Sequence, residues 1–225
     1  MGHLIAKAVA GISTLLLVLG LLIFLSAWTI NYLQGWIYVG TFAACVLPII
    51  VYLMRQDQKL LERRLKAVPT AETTLAQKVL QSLLNVFFIL IFIVAGLDHR
   101  FHWSKIPFFI SLSADIFVIA GFYIIFLVFR ENSFTSGSIE VAKDQSVIST
   151  GPYRLVRHPM YAGALVMLFA TPLVLGSLWA ILCVFPLMFS VAARALDEER
   201  FLAKNLKGYS KYCLKVRYRL IPHLW

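Results

Sequence analysis

Residues 161–193 read YAGALVMLFATPLVLGSLWAILCVFPLMFSVAA, a run of 33 positions without a charged side chain. As one straight helix rising 1.5 Å per residue it would measure about 50 Å, well beyond a hydrocarbon core of ~30 Å. Pro172 and the Gly176-Ser177 pair lie near its middle, where a helix is readily interrupted. The run therefore reads as a hairpin of two short helices. Charge placement supports that choice. With the N-terminus inside and the run doubled back, 19 of the 21 Lys and Arg residues fall on the cytoplasmic side, leaving Arg100 and Lys105 outside. A single crossing would put every cation from Arg194 onward outside, against the tendency of basic residues to stay in the cytoplasm.

Outward from the hairpin, the chain is apolar in the same manner. Of its 225 residues 60% are hydrophobic and 14% charged, where soluble domains carry about 25% charged residues. This composition marks an all-α, polytopic integral membrane protein. Leu4 to Ile30, Gly35 to Met54, Val79 to Leu97 and Ile106 to Phe129 each approach the ~20 residues of a full span. The first is too long for a signal-peptide core and reads as a retained span. Trp36 and Tyr38 serve as interface anchors, Pro48 can kink the second span, and the basic segment Arg55 to Lys78 breaks near Pro69. The expected architecture is four full transmembrane helices over residues 1–130. Residues 131–225 then hold the hairpin, a cytoplasmic amphipathic tail and any cofactor site. Both termini are expected in the cytoplasm.

The net charge of +10 fits cytoplasmic loops facing anionic lipid and calls for no nucleic acid. Cys45, Cys183 and Cys213 have no metal spacing and suggest no disulfide framework. His99 and His102 are three apart, but no third ligand is in view, so no metal is expected. Asp115 lies inside the fourth span. It is either a functional buried carboxylate or close enough to the interface for solvent to reach it.

The hairpin is entered through Gly151 to Gly163, GPYRLVRHPMYAG. Pro159 disfavours helix at His158 and suits a first helical position, which places His158 at the N-cap and Tyr161 about a turn on. A helix start of this kind suits a carboxylate or phosphate. At the far end of the run stand Arg194, Glu198 and Glu199. If the hairpin closes, these meet His158 and Tyr161 at the cytoplasmic interface. The bland alternatives are a basic loop pinned at the membrane and an ordinary surface ion pair between Arg194 and Glu198. In the tail, Phe201, Leu202, Leu206, Tyr209, Tyr212, Cys213 and Val216 share one face, suited to lying on the membrane; Gly208 can divide the segment. The final residues, YRLIPHLW, look extended because of Pro222.

The pattern GPYRxxRHPxYxG, an apolar run, DEERFL, GYxxY and RYRLIP resembles the isoprenylcysteine carboxyl methyltransferase family, related to membrane phospholipid methyltransferases. The resemblance covers about Gln145 to Trp225. It implies S-adenosylmethionine as cofactor and a lipophilic acceptor that enters from the bilayer. It further implies that Val147, Ile148, Tyr153, His158, Tyr161 and Glu199 line the donor pocket, with Glu198 a near neighbour. Arg194 corresponds to a substrate-positioning arginine. Gln145 stands where relatives often carry histidine, and the Gly-x-Gly element of phospholipid methyltransferases is absent. Rival readings are a membrane sterol-type reductase using NADPH, a transporter, and a non-catalytic membrane protein that kept the motif. A reductase pocket needs partners for a 2′-phosphate, which the carboxylate pair argues against. A transporter should carry polar residues through several spans, and only Asp115 and Asn85 qualify.

Overall fold

The computed structural model describes residues 2–65, 74–135, 139–142 and 145–225. Among the described residues eight α-helices follow one another: α1 Gly2–Ala27, α2 Leu33–Gln56, α3 Gln58–Leu65, α4 Leu75–Phe101, α5 Phe108–Glu131, α6 Pro159–Val174, α7 Ile181–Asn205 and α8 Tyr209–Lys215. Helices α1, α2, α4 and α5 are long and apolar enough to cross a membrane. The break expected near Pro69 lies outside the described residues. Helix α4 opens with a reciprocal cap. Thr74 accepts from the Gln77 N–H, and the Gln77 side chain accepts from the Thr74 N–H.

The run after Pro159 doubles back, because His158 before α6 and Glu199 late in α7 lie 3.2 Å apart. The first arm is short, as expected. The second is not: α7 continues for 25 residues through the acidic cluster to Asn205. Ala193 to Lys204 is rich in strong helix formers, so nothing stops the helix where the apolar stretch ends. Pro172 sits inside α6 without ending it, and the reversal falls at Gly176, whose φ of +73° favours glycine.

Backbone polar groups at this buried turn need partners. The Gly176 and Ser177 N–H groups reach Leu173 O (3.0 Å) and Pro172 O (2.8 Å). The Ser177 hydroxyl donates to Asp98, and the Tyr32 hydroxyl donates to Leu175 O. Buried Asp98 also accepts from the Ser104 N–H (2.7 Å) and hydroxyl (2.6 Å). The turn is thus tied to the start of α2 and the end of α4, at the opposite end of the bundle from Glu199. Nearby, His99 stacks on Tyr32 with ring centres 3.8 Å apart.

Helices α5 and α6 approach each other closely. A Cβ on Gly121 would lie 2.6 Å from Gly163 O, and one on Gly163 would lie 2.9 Å from Gly121 O. Small residues let transmembrane backbones meet in this way. Asp115 of α5 faces α2, where Thr41 donates to its Oδ2 at 2.6 Å. It is buried, so of the two sequence readings the solvent-reached one is set aside.

The tail is divided at Gly208, whose φ is +91°. Its apolar face does not lie outward on a membrane. Leu206, Tyr209, Tyr212 and Val216 are buried together, against Val141, Val147 and Tyr153. The final residues are extended only as far as Tyr218. Beyond it the chain curls, and the Trp225 carbonyl accepts from the N–H groups of Arg219, Leu220 and Ile221 at 2.8–3.0 Å.

Candidate functional site

The local sequence explains where each polar group stands. Residues Gly151–Arg154 form one 3₁₀ turn. The chain then enters α6 at Pro159, leaving His158 as the N-cap with φ −121°. The His158 carbonyl accepts the Ala162 N–H (3.0 Å), and its own N–H donates to Arg219 O (2.9 Å). Tyr161, three residues on, stacks its ring against the imidazole, with centres 5.5 Å apart and planes 13° from parallel.

From the other arm, α7 delivers Arg194, Glu198 and Glu199. The Tyr161 hydroxyl donates to Glu198 Oε2 at 2.7 Å and accepts from Arg194 Nε at 3.2 Å. His158 Nε2 meets Glu199 Oε1 at 3.2 Å, and Nδ1 lies 3.8 Å from Glu198 Oε2. The five residues expected to converge from the two ends of the hairpin do so. Arg194 is buried behind Tyr161.

The structure divides the acids differently from the sequence reading. Val147, Ile148, Tyr153, His158, Tyr161 and Glu198 line one cleft of about 810 Å³, counted with its open mouth. Glu199 lies behind that wall. Its Oε1 faces His158 and Arg157 Nε, both at 3.2 Å, and its Oε2 accepts from Arg219 Nε at 3.0 Å. Successive helix residues point about 100° apart, which is how Glu198 reaches the cleft while Glu199 turns toward Arg157 and Arg219. Burial opposes ionisation of Glu199, but the hydrogen bond and charge of His158, the charge of Arg157 and the Arg219 hydrogen bond outweigh it. The carboxyl is held below the usual range. Glu198 is the acid free to meet a ligand.

Several cleft residues escaped the sequence reading. Asn132, just past α5, donates to the Tyr153 hydroxyl at 2.9 Å. Burial pushes that phenol upward, so it stays neutral at physiological pH. Tyr209 and Tyr212 line the cleft from α8, and the Tyr212 hydroxyl donates to Tyr153 O at 2.8 Å. Their spacing marks the apolar face of the tail, which closes on the cleft instead of lying on a membrane. Gln145, already singled out in the sequence, lines the cleft as well. Arg63 and Arg64 of α3 buttress the wall: Arg63 donates to Ser133 O at 3.0 Å and Arg64 lies over the Phe129 ring at 5.1 Å.

Among the described residues, the charged wall is thus Glu140, Glu198 and Arg157, with His158, among tyrosines and aliphatic side chains. Arg157 is already spent on Glu199 and on Arg217 O (3.2 Å). The balance suits a ligand carrying positive charge and an aromatic ring better than one carrying several phosphates.

Residues 109–208 match the family model described as phospholipid methyltransferase. That interval runs from α5 to Gly208 and contains every site residue expected from the sequence. The match makes this region similar to the phospholipid methyltransferases, the group named above as related to the family whose motifs the chain resembles. A stretch of 91 residues, 39% of the chain, is 32% identical to the delta(14)-sterol reductase TM7SF2 of Mus musculus. The match covers 22% of that protein, so the chain spans about a fifth of the length of this curated relative.

Proposed function

We propose that this chain is a membrane methyltransferase that binds S-adenosylmethionine in the cleft and methylates a lipophilic acceptor reaching it from the bilayer. The observation that carries the reading is Glu198, set in the cleft wall between Tyr161 and His158 while its neighbour Glu199 is turned away. The phospholipid methyltransferase match over residues 109–208 supports the same class.

When bound, S-adenosylmethionine supplies an electrophilic methyl on a sulfonium centre. Glu198 would hold the ammonium of the donor, with the Tyr161 hydroxyl fixing the carboxylate that receives it. His158 and the free N–H groups at the start of α6 suit the donor carboxylate. The Tyr153 and Tyr212 rings offer faces for a cation, while Val147, Ile148, Leu202 and Leu206 offer an apolar slot for an adenine. These groups bind, orient and exclude water, which is what an in-line displacement asks of a protein. Arg194, behind Tyr161, would position the acceptor. A carboxylate or thiolate acceptor needs no base. The clustering of basic residues at the cleft end of the bundle supports a cytoplasmic cleft.

The sterol reductase similarity keeps a second reading in play, reduction with NADPH. The cleft chemistry speaks against it, since Arg157 is the lone Lys or Arg lining the cleft among the described residues and is engaged by Glu199. Calorimetry on the detergent-purified protein separates the two. S-adenosylmethionine should bind and NADPH should not; the reverse result overturns the proposal. A labelled-methyl assay against a lipid extract, followed by mass spectrometry, then identifies the acceptor.

A further inference from the structure

We propose that the last ten residues form a strap whose Arg219 is a positioning residue for the donor cleft, acting through Glu199 on His158. The strap touches the site by main chain and side chain together. The Tyr218 and Arg219 carbonyls accept the N–H groups of Arg157 and His158, both at 2.9 Å. The Arg217 carbonyl accepts from the Arg157 guanidinium at 3.2 Å. Arg219 is the pivot, because its carbonyl holds the His158 backbone while its Nε holds Glu199 Oε2 at 3.0 Å. Glu199 Oε1 in turn holds His158 Nε2, which leaves Nδ1 turned toward Glu198 and the cleft. Arg219 is itself steadied. Its guanidinium lies over the Trp225 ring at 5.4 Å, and its N–H donates to the Trp225 carbonyl at 2.8 Å.

This closes a ring of contacts from Trp225 through Arg219 and Glu199 to His158 and back to the Arg219 carbonyl. Helix α7 supplies Glu199, the entry to α6 supplies His158 and Arg157, and the strap supplies Arg219. None of these segments fixes the imidazole alone. Lysine cannot replace Arg219, since it lacks the planar fork and the stacking on Trp225. Position 219 lies outside the interval that matches the family model, so that match assigns it nothing.

The inference rests on the cleft taking S-adenosylmethionine, and its test has an arm that needs no donor. Charged or titratable groups facing Glu199 are Arg157 and His158 before α6, Arg219 in the strap, Glu198 on its own helix, and Tyr209 and Tyr212 on α8. Among the described residues only Arg219 and Arg157 are fixed cations there, so removing Arg219 leaves Glu199 easier to protonate. Thermal stability of the ligand-free full chain is followed from pH 4 to pH 8 for the parent, Arg219→Ala, Arg219→Lys, Glu199→Gln and the double variant Arg219→Ala/Glu199→Gln. In Arg219→Ala the acid-side loss of stability should be smaller than in the parent and should be complete at a higher pH. In the Glu199→Gln background the same substitution should no longer move that limb.

Calorimetry with S-adenosylmethionine on the same proteins should show Arg219→Ala and Arg219→Lys about tenfold weaker, on the scale of one charged hydrogen bond. The double variant should be no weaker than Glu199→Gln alone. A melting temperature lowered equally at every pH, with unchanged donor affinity, overturns the strap. If the parent fails to bind S-adenosylmethionine while the acid limb still moves with Arg219, the donor reading falls and the strap stands.

Discussion

Changing the two adjacent acids one at a time should separate binding from folding. Glu199 sits among three basic side chains, with 11% of its side chain exposed against 9% for Arg157 and 30% for Arg219. Removing one partner of a fully buried ion pair costs about 3–5 kcal/mol. The exposure of Arg219 admits solvent screening, so roughly 2–3 kcal/mol is the fitting scale for Glu199→Gln. For a chain of this size that corresponds to a melting temperature lowered by about 4–12 °C. Glu198 has 28% of its side chain exposed, with the Tyr161 hydroxyl donating to it. Glu198→Gln keeps an acceptor for that hydroxyl and should cost under about 1 kcal/mol of stability. It does remove the charge offered to an ammonium, worth about 1.5–3 kcal/mol, so S-adenosylmethionine should bind roughly 10–100-fold more weakly. Both variants are melted in detergent by tryptophan fluorescence and titrated by calorimetry. A Glu198→Gln protein as destabilised as Glu199→Gln, or one that binds the donor like the parent, would refute the division of roles.

Other perturbations follow from the same geometry. Because the Glu199 carboxyl is held below its ordinary value, its contribution to stability is complete above the usual carboxylate range. It is lost as pH falls through the lowered value, so a pH series of melting temperatures should show an acid-side decline that Glu199→Gln flattens. Gly163→Val pushes side-chain atoms into the Gly121 carbonyl and the Ile124 side chain, and should cost about 1–3 kcal/mol in thermal unfolding. Asp98→Ala leaves the Ser104 N–H and the Ser104 and Ser177 hydroxyls without their acceptor. At about 1–3 kcal/mol for each buried orphan, it should destabilise by 3 kcal/mol or more on the same measurement.

The hairpin was legible because length and charge are coarse properties that survive without coordinates: 33 apolar residues exceed one bilayer, and eight cations refuse the outside. His158 at an N-cap was legible because Pro159 constrains its neighbour locally. The second arm was misjudged because the end of the apolar run was equated with the end of the helix, although Ala195, Leu196, Glu198 and Glu199 are all strong helix formers. That the two acids point about 100° apart was available in principle from helix geometry. Which acid faces inward was not, since that depends on the rotation of α7 against α4 and α6. Asn132 and Arg219 were out of reach. Each meets its partner across some 20 residues of chain, and neither lies on a periodic pattern.

Apolar packing alone is a poor guide to register within a bilayer, because lipid tails solvate a leucine as well as a neighbouring helix does. Sliding α6 along α7 by one turn, about 5.4 Å, would keep most apolar contacts of the hairpin. It would break both of its polar ends. At one end the reversal at Gly176 and Ser177 is pinned by Asp98 and Tyr32; at the other, His158 is pinned by Glu199 and the strap. Two polar clasps at opposite ends of an apolar hairpin leave a single register in which both close. In that register Tyr161 and Glu198 stand opposite each other at 2.7 Å. The Asp98 turn, far from the cleft, therefore belongs to the binding site in an energetic sense. Loosening it should weaken donor affinity as well as stability, whereas an equal loss of stability introduced on the outer face of α1, at Leu17 for instance, should leave affinity unchanged.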